Sequence, residues 1–325
     1  MNRILLILIL SVFLAGCVMD PNRNSSSSAP TAPTAPSPSP EASKSVAQAQ
    51  PSPEMLPGPN AIPTDTRVVV NIPAYRMDIF DDGSLIKSYR VGIGTPEFPL
   101  PTGLRKAESV IFNPTWTVPD EAWAEEMNNV KVGETIEAGD KNNPLGWIKI
   151  PIGLPNLIHG GKAPAKIGTF ASHGCVGLTN PQIKDFALRL AQAANTQIGE
   201  EKASSYIKER TETHEIKLEQ SIPVELRYET IVIEDGKLHI YKDVYEQNTN
   251  TEDNLRKVLA AHGVTFEQLP ADKQAEMLKA LKSPTGKRGE VIIEIPNVAQ
   301  KGYPAPVELD EGKGKPARTT AKANH

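Results

Sequence analysis

Cysteine is nearly absent from this 325-residue chain. Cys17 and Cys175 are its only two, too few for a disulfide framework. Neither sign of charge is in great excess. Thirty-five basic residues against 39 acidic ones give a net charge of −4. That excludes a dominant nucleic-acid role, and with it a nucleic-acid partner, since phosphate binding needs a basic surplus. Long hydrophobic runs are missing too. The longest, almost unbroken over residues 4–14, is about half the ~20 residues that cross a bilayer. Aromatic side chains make up 5% of the chain, and no segment repeats. Hydrophobic residues still amount to 39%, enough for a core, so disorder throughout is excluded.

Proline is what the chain has in quantity: 29 residues, ten of them within residues 21–60. That stretch contains SSSSAPTAPTAPSPSP and PSPEMLPGPN. It cannot bury a core and reads as a semi-rigid stalk. Ahead of it, Arg3 and the run at 4–14 read as a signal peptide. Leu14-Ala15-Gly16-Cys17 resembles a bacterial lipobox, which implies cleavage before Cys17 and lipid on its sulfur. Several acyl chains would anchor stably, at ~0.8 kcal/mol per buried methylene. The expected order is a lipoprotein signal peptide at 1–16, a Ser/Pro-rich linker at 17–65, a folded domain at 66–246 and a C-terminal extension at 247–325. The extension reads as partly helical with a disordered basic tail. The expected location is periplasm-facing and lipid-anchored to a membrane. Val18 after Cys17, rather than Asp, points to the outer membrane in a diderm cell.

Within 66–246 the pattern is that of strands. Residues 67–72, 75–80 and 85–93 read as strands, with an Asp81-Asp82-Gly83 turn making a hairpin. Shorter strands are expected at 107–112, 147–150, 156–159, 224–228, 230–234 and 237–241. One clear helix starts at Asn180-Pro181, with Asn180 read as its N-cap. Ile183, Phe186, Ala187, Leu190, Ala191 and Ala194 then fall on one face. Residues 199–220 read as charged surface, and 252–282 as two short helices. The fold class expected is mainly β with one or two helices, a sandwich or barrel.

The chemistry concentrates in residues 159–180. His159-Gly160-Gly161, Ser172-His173-Gly174-Cys175 and Asn180 stand close together. A thiolate attacks carbonyls well, but a free thiol is little ionised near neutrality, so a neighbouring imidazole has a use. Both His159 and His173 are candidates for it. Gly174 allows a sharp turn with open amides. Three readings stand for Cys175: a catalytic thiol, a buried small hydrophobe, or part of a zinc site. No second Cys or pair of His stands at the usual metal spacing.

His159-Gly160 followed by Ser172-His173-Gly174-Cys175-Val176 resembles the signature of the L,D-transpeptidase (YkuD-type, ErfK-like) family of cell-wall enzymes. Residues 67–71 and 91–94, Pro101-Thr102-Gly103, Asn113-Pro114-Thr115-Trp116 and Asn143-Pro144-Leu145-Gly146 resemble it as well, so the likeness covers about 66–246. It implies Cys175 as nucleophile, with a pKa lowered below the free-thiol value. It implies His159 as general base, with its ring held by the Gly160 carbonyl. Ser172, His173 and Gly174 would shape the turn, and the amides of His173, Gly174 and Cys175 would serve as oxyanion donors. Trp116 and Asn180 are further candidates for substrate contact. No cofactor or metal is implied. One departure is Gly177, where the family often has Arg or Asn. Lys162 and Lys166 are near enough in sequence to supply a charge, although loop lysines are more often simply solvated.

The function implied is peptidoglycan L,D-transpeptidation. Cys175 would form a thioester with a tetrapeptide stem, release D-alanine and pass the acyl group to an amine. That amine would belong to another peptidoglycan stem or to a wall-attached lipoprotein. The alternatives are an L,D-carboxypeptidase or amidase using the same site, and a catalytically dead, peptidoglycan-binding lipoprotein.

Overall fold

The computed structural model describes residues 54–313, apart from Asn128, Leu154, Asn297, Ala299 and Gln300. The expected signal peptide, Cys17, nearly all of the stalk and nearly all of the basic tail lie outside the described residues. No described helix is long and apolar enough to cross a membrane.

Strands rich in β-branched and apolar residues, the first two buried almost throughout, build a meander of β1 (Arg67–Asn71), β2 (Arg76–Asp81) and β3 (Ser84–Arg90). The turn between the last two has Asp82 and Gly83 at φ 44° and 74°, the left-handed pair that tight hairpins require. Then come β4 (Ile93–Gly94), β5 (Gly103–Phe112), β6 (Trp116–Thr117), α1 (Ala122–Glu125), β7 (Thr135–Ile136), β8 (Ile148–Pro151) and β9 (Leu157–His159). β10 (Phe170–Ser172), β11 (Val176–Gly177), α2 (Asn180–Ala193), α3 (Glu200–Lys208) and β12 (His214–Arg227) follow. One curled sheet of eight strands, in the order β11-β9-β8-β5-β12-β1-β2-β3, organises them. The pairs β1/β12 and β11/β9 run parallel and the remaining pairs antiparallel.

The apolar face of α2 buries Ile183, Phe186, Ala187 and Leu190 with Val70, Met77, Ile148, Ile150, Val224 and Leu226 of the sheet. Each such side chain stabilises the fold by ~1.5–3 kcal/mol relative to exposure. This core holds β9 and β11 against α2. It thereby fixes the two strand ends that carry the histidine and the cysteine.

A second core lies further along the chain. β13 (Ile231–Glu234), β14 (Lys237–Tyr241) and β15 (Glu290–Glu294) form a three-stranded sheet. It packs Ile231, Ile233, Leu238 and Ile240 on Leu255, Leu259 and Met277 of α4 (Glu252–Ala261) and α5 (Ala271–Lys282). The hairpin at 231–241 thus shares its core with the C-terminal helices. Asn60 is buried, and its side chain donates to Ile231 O at 3.1 Å and accepts from Ile233 N at 2.9 Å.

The chain is mainly β, as expected, but it has more helix than expected. Residues 199–220, read as charged surface, form α3 and the first half of β12. α3 buries only Ala203, so few apolar residues mark it in the sequence. The start of β12 alternates half-buried Ile216 and Leu218 with exposed Glu215, Lys217 and Glu219.

Candidate active site

His159 is the last residue of β9 and pairs with Gly177 of β11, as Ile158 does with Val176. Cys175 immediately precedes β11. Side chains alternate along a strand, so residues 175 and 177 share the face of His159. The two motifs are thus carried by the ends of two parallel neighbouring strands.

His159 is buried, with 3% of its surface exposed, and its Nδ1 lies 2.8 Å from the Gly160 carbonyl oxygen. The tautomer that donates there leaves Nε2 as an acceptor. Burial, and then the Lys162 charge, push its pKa down to about 3, opposed in part by backbone hydrogen bonds at Gly160 and Leu145. The ring is neutral at neutral pH. Gly160 has to be glycine because of its surroundings: a β-carbon there would lie 2.7 Å from Asn180 Oδ1 and 2.8 Å from Ile183 Cγ2.

Cys175 is a half-buried free thiol. Burial pushes its pKa up, against a backbone hydrogen bond at Leu157 and the Lys162 charge, which pull it down. The lowered thiol pKa expected from the sequence is corrected here, because desolvation outweighs the neighbouring cation. The resting pair is a neutral thiol beside a neutral imidazole.

Three residues build the turn that presents the thiol. Ser172 Oγ donates to Cys175 O at 2.6 Å and accepts from Cys175 N at 3.1 Å. Gly174 sits at φ +91°, which L side chains rarely adopt, and its carbonyl accepts from Asn156 Nδ2 at 2.6 Å. Of the three amides expected to face an oxyanion, that of Cys175 already donates to Ser172. His173 is exposed at the rim. Its ring stacks on Trp123 at 4.0 Å with 1° between planes, and meets the edge of Phe98 at 5.2 Å. Burial, then Lys162, lower its pKa.

Trp123 belongs to α1, in a flap made of β6, α1 and β7. The flap has its own small core of Trp116, Val118, Ala124, Ile136 and Leu145. Trp116, a candidate for substrate contact, is 8% exposed and stacked behind Trp123 at 6.2 Å, so Trp123 is the tryptophan that reaches His173. Asn180 is a brace. Its Oδ1 accepts from Gly161 N at 2.9 Å and from Trp147 N at 3.0 Å. The helix N-cap is Thr179 rather than Asn180. Thr179 Oγ1 accepts from Gln182 N at 3.4 Å, and Thr179 N donates to Gln182 Oε1 at 3.0 Å. Trp123, Phe98 and Asn156 were not singled out from the sequence. Nothing local marks them, because their partners lie on other elements. Among the described residues, the His and acidic side chains close enough to share an ion are Glu209, Glu212 and His214, none of which belongs to this site.

Residues 65–200 match the family model YkuD, the L,D-transpeptidase catalytic domain. The likeness to that family covers the strands and turn that carry the candidate site. Over 126 residues, 36% of this chain and 38% of the relative, the chain is 33% identical to the probable L,D-transpeptidase ErfK/SrfK of Escherichia coli (strain K12). The match to a second L,D-transpeptidase relative, from Haemophilus influenzae, is 38% identical over 52 residues, 16% of this chain and 11% of that protein. The chain thus spans less than two fifths of the length of these curated relatives. Among solved structures, the NMR structure of the catalytic domain from E. faecium L,D-transpeptidase aligns over 51% of this chain and all of that one, at 17% identity and TM-score 0.33. The L,D-transpeptidase from Mycobacterium smegmatis aligns over 50% of this chain and 58% of that one, at 17% identity and TM-score 0.29. Within the matched residues lie His159, the Ser172–Cys175 turn and the flap; β12 and the whole second core lie beyond them.

Proposed function

We propose that the chain is a peptidoglycan L,D-transpeptidase with Cys175 as nucleophile and His159 as base. The observation that carries this reading is a half-buried thiol and a buried, neutral, carbonyl-anchored imidazole at the ends of adjacent parallel strands within a YkuD domain. Burial disfavours a standing thiolate, so charge develops on Sγ only as it attacks. His159 Nε2 takes the thiol proton while Sγ bonds to the carbonyl carbon of the third stem residue. The amides of His173 and Gly174 are the donors left in the turn for the oxyanion. As the C–N bond breaks, His159 returns the proton to the amine of the leaving D-alanine. An acceptor amine then attacks the thioester, gives its proton to His159 and forms the new amide, and Cys175 recovers its thiol. The acceptor is a side-chain amine of a second stem or a lysine of a wall-attached lipoprotein.

Purified muropeptides and mass spectrometry test this. The expected result is an acyl adduct on Cys175, loss of D-alanine and a cross-linked product. No adduct, or D-alanine release undiminished in Cys175→Ala, overturns it. An adduct that passes only to water makes the protein an L,D-carboxypeptidase. The same reading places the domain in the periplasm on a lipid anchor at Cys17, with the Ser/Pro stretch as a tether. Cys17→Ala should then leave the membrane fraction and remain unprocessed.

A further inference from the structure

Gly177 stands two residues after Cys175 and opposite His159. The room a side chain would take there is already filled. A β-carbon on Gly177 would lie 2.8 Å from Lys162 Cγ, 2.9 Å from Cε and 3.3 Å from Cδ. Lys162 is held in this place by its backbone, whose N–H donates to Leu178 O at 3.0 Å, while Leu178 N donates to His159 O at 2.9 Å. Its half-buried stem therefore runs along β11, between the strand of the thiol and the loop of the histidine.

The charge environment agrees with this geometry. After burial, Lys162 is the charge that depresses both His159 and His173, and it also pulls the Cys175 thiol down. Burial lowers the pKa of Lys162 itself, and Cys175 is the charge that raises it. The other charged groups around it are engaged elsewhere or out in solvent. Lys149, opposite His159 on β8, gives its Nζ to Thr115 O at 3.1 Å. Lys166, on the neighbouring turn, is exposed. Lys162 also lines a groove of about 710 Å³ with acids near the start of α2. Of these, Asp185 pairs with Arg189, Glu308 with Lys87 and Glu311 with Arg288. A lysine half-buried beside a thiol, with its stem filling the space over a glycine, is expensive to hold unless its charge is used.

We infer that Lys162 is the positioning cation of this site: its stem occupies the space over Gly177 and its ammonium stands by the Cys175–His159–His173 cluster, favouring thiolate and neutral imidazole. The inference rests on Cys175 being the nucleophile. It predicts that Lys162 assists the attack by stabilising charge on Sγ. It also predicts that Lys162 drives the proton off His159 toward the leaving amine, because an imidazolium beside an ammonium is disfavoured.

The test uses the full-length protein and two readouts across pH: the rate of Cys175 alkylation by iodoacetamide, and the midpoints of the histidine ring signals by NMR. Lys162→Met keeps the stem and removes the charge. It should move the thiol midpoint up by about one pH unit and the His173 midpoint up as well. Lys162→Arg should keep both near those of the unchanged protein. Gly177→Val retains the lysine but displaces its stem, and should shift both midpoints in the same direction as Lys162→Met. Superimposable thiol and histidine profiles for Lys162→Met and the unchanged protein overturn the inference. A thiol that alkylates at no pH in the unchanged protein overturns instead the reading of Cys175 as nucleophile, and the histidine midpoints then decide the role of Lys162.

Discussion

His159 ties the chemistry to the stability of the fold. Its ring has a pKa of about 3 in the folded protein and about 6.5 in an unfolded chain. Between those values the unfolded state binds one more proton, so stability rises with pH in that window and is lost as pH falls from about 6.5 toward 3. His159→Gln removes this dependence: the loss in urea midpoint between pH 7 and pH 4 should be smaller in the variant. The same substitution should slow Cys175 acylation by about 10²–10⁴-fold, with circular dichroism unchanged. In the unchanged enzyme, the acid limb of kcat/KM should not contain an ordinary histidine near pH 6.5 from this ring. His173 is different, since it is exposed and roofed by Trp123. Trp123→Ala removes a stacked pair worth about 0.5–1.5 kcal/mol, read as a lower urea midpoint. It also rehydrates the imidazole, so the His173 midpoint should rise. An unmoved midpoint would show that the stack does not desolvate the ring.

Helix α2 illustrates how an element holds a site. Thr179→Ala removes one half of its capping box and should lower stability by about 1 kcal/mol, read as a lower urea midpoint with little change in kcat. Asn180→Ala leaves the cap and removes the acceptor for Gly161 N and Trp147 N. Its loss should fall on turnover more than on stability, because the freed backbone at Gly161 lies just past the strand end that carries His159. Much of this element was legible in the sequence: its apolar period and its start are local properties. Its N-cap was misplaced by one residue because Thr179 and Asn180 are both good caps, and what decides is Gln182 reaching back. His159 and Cys175 could be singled out as candidates because two short motifs, His159-Gly160 and Ser172–Cys175, lie near each other in the sequence. The thiol's pKa direction was not, since it depends on burial that the sequence does not display. Trp123, Phe98 and Asn156 were hidden for a related reason: each touches the active turn only after the flap and the sheet have closed. α3 and the start of β12 were missed because their outer faces are charged and their inner faces bury little.

The described residues are stitched by charge as well as by their apolar cores. Between the large sheet and the three-stranded one, Arg76 of β2 lies 2.8 Å from Asp78 through Nε and 2.5 Å from Glu234 of β13 through Nη1. Tyr303 closes the cluster. Its hydroxyl donates to Asp78 at 3.1 Å and the Arg76 guanidinium lies 5.4 Å from its ring centroid. The chain then runs on to cover the open edge of β3, where Ser88 N donates to Val307 O and Arg90 N to Asp310 O, both at 2.9 Å. An edge strand so covered is not available for pairing with another molecule. All of these side chains are buried, so the network matters chiefly through what its disruption would leave behind. Arg76→Met strands two carboxylates, Asp78 and Glu234, in a site where burial already pushes the Glu234 carboxyl upward. Its expected cost is about 3–5 kcal/mol. Replacing the partner as well, in Arg76→Met with Glu234→Leu, removes one of the stranded charges and should recover part of that loss, even though the double variant has fewer ion pairs. Urea midpoints of the two single variants and the double variant, taken at one pH, measure the coupling. A double variant as destabilised as the sum of the singles would mean that Arg76 and Glu234 act independently, and that the two sheets are joined by their apolar contacts alone.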